Sequence, residues 1–193
     1  KGFLDALGIS KPHLGGNSMG GYIALQYAVD FPDQLQTLTL FNNGGIMGNE
    51  HPSELAIDAA NGVNLLDMDG PDDVGRMMAL AAYKPVKLPG QFRKVFFEEF
   101  SKNRDLQDQI YWVLVDDGGK NPLDDRLSEV SVPTLIIWGK EDRIIDVSTV
   151  AVLKAGIRNN EAVIFDEIGH IPMIENPVLT ARHHLPFLEK NSA

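Results

Sequence analysis

The sequence predicts an α/β fold in which a parallel sheet alternates with helices and is interrupted by a long helical insertion. Three observations carry this. Residues 1–41 read as a helix end, a short strand, a glycine turn, a helix and a second strand. Thr134-Leu135-Ile136-Ile137-Trp138 is a nearly continuous apolar run, as a strand buried on both faces requires. Between them, from about Ile46 to Arg126, Pro52, Pro71, Pro85, Pro89 and Pro122 punctuate amphipathic segments with no convincing buried strand.

Each element has its own local signal. The first strand is read at His13-Leu14-Gly15 and the following helix from about Met19 to Val29, with Ile23, Ala24, Tyr27 and Ala28 as its packing stripe. That helix must stop before Phe31-Pro32, because a residue preceding proline is pushed out of the helical region. Leu38-Thr39-Leu40-Phe41 is the second strand. Within the insertion, Pro71-Asp72-Asp73 suits a first helical turn, where proline loses no bond and acidic groups oppose the positive dipole end. Phe92, Val95, Phe96 and Phe100 repeat at helical spacing, and Ile110, Trp112, Val113 and Leu114 do so more loosely; both stripes are expected to be core. After the strand at 134–138 come a helix from about Val147 to Ala155, a strand at Ala162-Val163-Ile164-Phe165, and a last helix begun by Asn176-Pro177 and interrupted by Pro186. The expected division is core at 1–45, helical cap at 46–127 and core again at 128–193.

Composition bounds the function classes. With 193 residues and 44% hydrophobic content the chain can bury one substantial core. Seventeen Lys plus Arg against 27 Asp plus Glu give a formal charge of −10, which opposes nucleic acid and anionic lipid surfaces and favours neutral substrates. The acidic pairs Asp72-Asp73, Glu98-Glu99 and Asp116-Asp117 read as solvated surface. No apolar run is long enough to span a bilayer, and Asp5 interrupts any signal-like stretch at the start. The absence of cysteine excludes disulfides and thiolate chemistry without fixing a compartment, so a cytoplasmic location is only the default.

The most specific signal is Gly16-Asn17-Ser18-Met19-Gly20, followed by Gly21, between a strand and a helix. A serine hydroxyl is a poor nucleophile unless it is exposed, aligned and relieved of its proton. A sharp strand-to-helix turn exposes it, and small flanking residues, Gly16 and Gly20, are expected to permit close backbone approach. The helix start directs amides toward developing negative charge, which makes the Met19 amide the expected oxyanion donor. A glycine turn that merely caps a helix is the plainer reading of the same residues.

A nucleophilic serine needs a base, and position separates the five histidines. His170 follows the last strand, where active sites of parallel sheets gather, whereas His13, His51, His183 and His184 fall at the start of the first strand, in the insertion or on the last helix. The imidazole needs a carboxylate to hold one tautomer. Asp142 follows the apolar strand directly and gives the chain order serine, acid, histidine; Glu141 and Asp146 share its loop and compete. Asn17, Ile144 and Ile171 flank these groups and are the candidate substrate contacts.

Gly-Asn-Ser-Met-Gly-Gly, Trp-Gly-Lys-Glu-Asp and Gly-His-Ile-Pro-Met-Ile-Glu resemble the three active-site segments of α/β-hydrolases, and the resemblance covers nearly the whole chain. Ala81-Ala82-Tyr83-Lys84-Pro85 and Gly169-His170-Ile171-Pro172-Met173 resemble bacterial family V lipases and esterases, which carry a helical cap. The elbow also resembles that of carbon–carbon bond hydrolases acting on ring-cleavage products. The resemblance implies a triad of Ser18, Asp142 and His170, and a chain forming the second half of an α/β-hydrolase parallel sheet with an inserted cap. The loop that supplies a second oxyanion amide in such enzymes is not recognised here, so the first half of the fold is expected from the same gene product or another chain.

The expected activity is therefore carboxylic-ester hydrolysis through an acyl-serine, on a small-molecule ester, with no metal and no organic cofactor. The alternatives are carbon–carbon hydrolysis of ring-cleavage products and a non-catalytic fragment that needs a partner chain.

Overall fold

A computed structural model describes residues 1–48, 50–85, 87–120 and 122–192, apart from the side chains at 117–119. The Asp117 half of one acidic pair thus lies outside the described side chains. Among the described residues four strands pair in parallel and in chain order: β1 (His13–Ser18), β2 (Thr37–Asn43), β3 (Thr134–Gly139) and β4 (Asn160–Phe165). Helix α1 (Gly2–Ala6) precedes the sheet and α2 (Met19–Asp30) joins β1 to β2. The insertion holds α3 (Glu54–Ala60), α4 (Asp73–Ala81), α5 (Gly90–Ser101) and α6 (Arg104–Lys120). Helix α7 (Thr149–Gly156) joins β3 to β4, and α8 (Pro172–Glu175) and α9 (Pro177–Lys190) follow. Because every crossover is parallel, all four carboxyl ends lie on one rim of the sheet, where ligands bind in open α/β sheets.

Strands β2 and β3 are buried throughout, and their residues alternate between two cores as the period of two demands. Leu38, Leu40, Ile136 and Trp138 pack with Leu25 and Ala28 of α2 and with Val150 and Leu153 of α7. Phe41, Leu135 and Ile137 point the other way, onto Phe165 and onto Phe187 of α9. A 3₁₀ turn at Asp124–Glu129 follows the insertion, and Leu123 and Leu127 belong to the first of these cores. The base of the insertion is pinned by the Asp124 carboxylate, which accepts from the Met47 and Gly48 amides at 3.0 and 2.7 Å. No helix among the described residues is long and apolar enough to cross a membrane.

Several local expectations need correction. Ile23 is exposed, because the buried stripe of α2 runs through Tyr22, Ala24, Leu25, Ala28 and Val29, and Ile23 is off that stripe. The α5 stripe is not core: Phe92, Val95 and Phe96 all face outward, since α5 buries none of its residues. Among the described side chains of α6, Tyr111 is buried, while Ile110 and Val113 are exposed. Helical period identifies a face without saying what covers it. Pro186 does not end α9, which runs on to Lys190. Buried Phe187, an Asn191 side-chain bond to its carbonyl at 2.8 Å, and the Lys190–Glu161 ion pair hold the last turn beyond the proline.

Candidate active site

Ser18 is the last residue of β1 and the first flank of α2, with φ 55° and ψ −121°. A non-glycine residue there is strained by roughly 1–3 kcal/mol and persists only where the surroundings over-determine it. The pairing register of β1 slips between Asn17 and Ser18, and the Gly44 amide fixes the Ser18 carbonyl at 3.1 Å. A Cβ on Gly16 would lie 2.1 Å from the Gly20 carbonyl oxygen, and one on Gly21 would lie 2.4 Å from Asn43 Cβ. Gly20, by contrast, has open space where a Cβ would go. The glycines that close packing demands are therefore 16 and 21, and the expectation for Gly20 is corrected. The Ser18 side chain does not cap α2, and Met19 opens that helix with its amide at the positive dipole end.

The acid and the histidine are joined. His170 Nδ1 lies 2.8 Å from Asp142 Oδ2, and both side chains are almost wholly buried. Asp142 Oδ1 accepts from the Ile144 and Ile145 amides at 2.8 and 3.1 Å, and Oδ2 also accepts from Asn42 Nδ2 at 2.6 Å. A carboxylate so supplied with donors can only accept, so Nδ1 carries the imidazole hydrogen and Nε2 is left with its lone pair. Asp146 instead receives the Ser148 amide at 2.9 Å before α7, and Glu141 receives the Ile168 amide at 3.1 Å. Neither competes for the imidazole. Ser18 makes no hydrogen bond to His170 among the described residues, although Asn17 Nδ2 reaches the His170 carbonyl at 3.0 Å; in unliganded sites this contact is commonly long.

The other histidines are occupied elsewhere. His13 Nδ1 meets Thr37 Oγ1 at 2.9 Å, and His184 stands edge-on to Phe41 and within 3.2 Å of Thr39 Oγ1. Burial, with the nearby His13, pushes the His184 pKa down. His183 packs on Phe165, and His51 lies at the exposed start of the insertion.

Two supporting residues were not singled out by sequence. Asn42 is buried with φ 43° and holds Asp142 and, at 3.4 Å, the Gly169 carbonyl. Consecutive asparagines ending a buried strand were its available signal. Glu175 accepts from the Gly169 and Tyr83 amides, both at 2.8 Å; its spacing after His170 was visible, its partners were not. Of the candidate substrate contacts, Asn17 donates to the Phe41 and His170 carbonyls. Ile144 and Ile171 pack with Leu80 and Ala81 where the acid loop, histidine loop and insertion meet.

Over the elbow lies a cavity of about 330 Å³ lined by Met19, Leu66, Phe100, Ile110, Tyr111 and Leu114, with Asn64, Asp67, Gln107 and Asp108 as its polar members. Arg104 pairs with Asp67 and holds its carboxyl below the usual range. The insertion is thereby braced over the side chain that follows Ser18.

Comparison with known proteins shows the family and the fold. A model of the alpha/beta hydrolase family matches residues 1–183. Lipase 1 of Psychrobacter immobilis is 32% identical over 95% of this chain and 58% of its own length. The crystal structure of a membrane phospholipase A, a bacterial virulence factor, superposes with a TM-score of 0.84 at 32% identity, over 99% of this chain and 61% of that one. That of a putative lipase from Acinetobacter baumannii gives 0.87 at 28% identity, over 97% and 64%. The chain thus spans about three fifths of the relatives it matches.

Proposed function

The chain belongs to the alpha/beta hydrolase family, and from that premise we propose that the whole protein hydrolyses carboxylic esters through an acyl-Ser18 intermediate. The observation that carries the reading is the buried His170–Asp142 bond, which leaves Nε2 as a base on the rim where β1 delivers Ser18. Ser18 Oγ attacks the ester carbonyl while Nε2 takes its proton, and Asp142 stabilises the resulting imidazolium. Charge that develops on the carbonyl oxygen meets the Met19 amide. The tetrahedral intermediate then collapses, the imidazolium protonates the leaving alcohol, and a water activated by the same nitrogen releases the acid and restores Ser18.

Substrate class follows from the cavity. Its apolar side chains suit an acyl group, and among its described lining residues there is no lysine or arginine. Asp108, whose described donors are the neutral Asn64 amide and Trp112 indole, would oppose a substrate carboxylate. That disfavours ring-cleavage dienoates, which carry one, against neutral esters. Asn17, Ile144 and Ile171 remain proposed contacts around the scissile bond. β1 lies at an edge of the sheet, and a further segment pairing there, from the same gene product or another chain, would supply the second oxyanion donor. The discriminating experiment compares the whole protein on para-nitrophenyl butyrate and on a ring-cleavage dienoate. Ester turnover far above dienoate turnover is expected, and the reverse ranking would replace this reading with carbon–carbon hydrolysis.

A further inference from the structure

The three consecutive amides around the catalytic histidine are all held, two by Glu175 and one by a carbonyl of the insertion. The Gly169 amide donates to Glu175 Oε1 at 2.8 Å, and the Ile171 amide reaches the same oxygen at 3.4 Å. Between them, the His170 amide donates to the Ala81 carbonyl at the end of α4 at 2.8 Å. The second oxygen of Glu175, Oε2, accepts from the Tyr83 amide at 2.8 Å, two residues beyond α4. One carboxylate therefore bridges the histidine loop and the chain leaving α4. The approach is close enough to forbid a side chain: a Cβ on Gly169 would lie 2.9 Å from both the Ala81 oxygen and the Tyr83 nitrogen.

We infer that Glu175 is a positioning residue which ties the seating of the cap segment Ala81–Tyr83 to the placement of the His170 imidazole, so that cap and base move as one unit. The inference rests on the hydrolase reading above. A carboxylate has acceptors enough for both sides of this bridge. The Lys84–Glu167 ion pair at 3.0 Å also joins the neighbouring chain, but both of its side chains are exposed and it touches none of the three amides. The acid loop is fixed to the same helix, since Arg143 donates to the Ala79 carbonyl at 3.2 Å and pairs with Glu54 through two bonds of 2.7 and 2.9 Å. Both loops that build the acid–histidine pair thus use α4 as a common reference. A shift of the imidazole by about 1 Å costs on the order of 10²-fold in rate, so loosening this bridge acts on turnover before it acts on binding.

Glutamine at 175 keeps one acceptor and can serve only one side, while alanine serves neither. In the whole protein, Glu175→Gln is expected to lower kcat by roughly 10-fold and Glu175→Ala by roughly 10²-fold, with KM little changed. Tyr83→Pro removes the amide that Oε2 accepts, and it follows Ala82 at φ −124° and ψ 141°, a conformation that precedes proline readily. Tyr83→Pro should match Glu175→Gln, Tyr83→Ala should be near wild type, and Tyr83→Pro with Glu175→Gln should lose little beyond either alone. Multiplying losses in that double variant, or a Glu175→Gln enzyme with wild-type kcat, would overturn the inference. So would an effect confined to melting temperature or to KM. If the wild-type protein itself fails to hydrolyse esters, the hydrolase reading fails instead, and the two failures are distinct.

Discussion

At the scale of the residue, the acid–base half of the site is defined by who donates to whom. Asp142 receives two amides, Asn42 and His170, whereas its loop neighbour Asp146 serves only the start of α7. Asp142→Asn is therefore expected to lower kcat by roughly 10³ to 10⁴ with folding retained, because an amide would hold the imidazole in the wrong tautomer. Asp146→Asn should leave kcat nearly intact, and steady-state kinetics of both variants checks the assignment; the opposite ranking would move the acid to 146. The serine and histidine were proposed from sequence because each follows a strand in a segment that carries glycine, at 16 and 20 for Ser18 and at 169 for His170. The choice among three carboxylates was open there, since loop geometry decides it, and Asn42 and Glu175 were illegible for the same reason: their partners, the Asp142 carboxylate and the Tyr83 amide, lie 100 and 92 residues away along the chain.

At the scale of the element, the elbow is a packing problem between β1 and α2. Gly16 sits where α2 begins to cross over it, while Gly20 points a vacant Cβ position into open space. Gly16→Ala should lower the melting temperature sharply and abolish activity. Gly20→Ala should be tolerated, with stability unchanged or raised by up to about 1 kcal/mol. Thermal denaturation of the two variants tests this, and equal damage from both would mean that the elbow is constrained by something other than close approach. The sequence motif marked both glycines alike; only the crossing of strand and helix separates them. Strand β3 was legible because burial on both faces leaves a nearly continuous apolar run, and β2 because Leu38-Thr39-Leu40-Phe41 keeps strand-forming residues in a row, but the amphipathic faces of α2, α5 and α6 were misread because period does not tell a covered face from an open one.

At the scale of the whole molecule, two cores flank a parallel sheet, and the insertion is stitched to its active rim through Arg143, Ala81 and Glu175. The exposed face of α5 and the edge position of β1 are surfaces whose surroundings depend on the whole protein, and the chain spans about three fifths of the length of the relatives it matches. The proposed assignment of Ser18 as nucleophile does not depend on them. The most direct measurement is mass-spectrometric peptide mapping after treating the whole protein with a fluorophosphonate, which phosphonylates an activated serine. The label should fall on Ser18 alone and vanish in Ser18→Ala; label that persists undiminished in that variant would contradict the account at its centre.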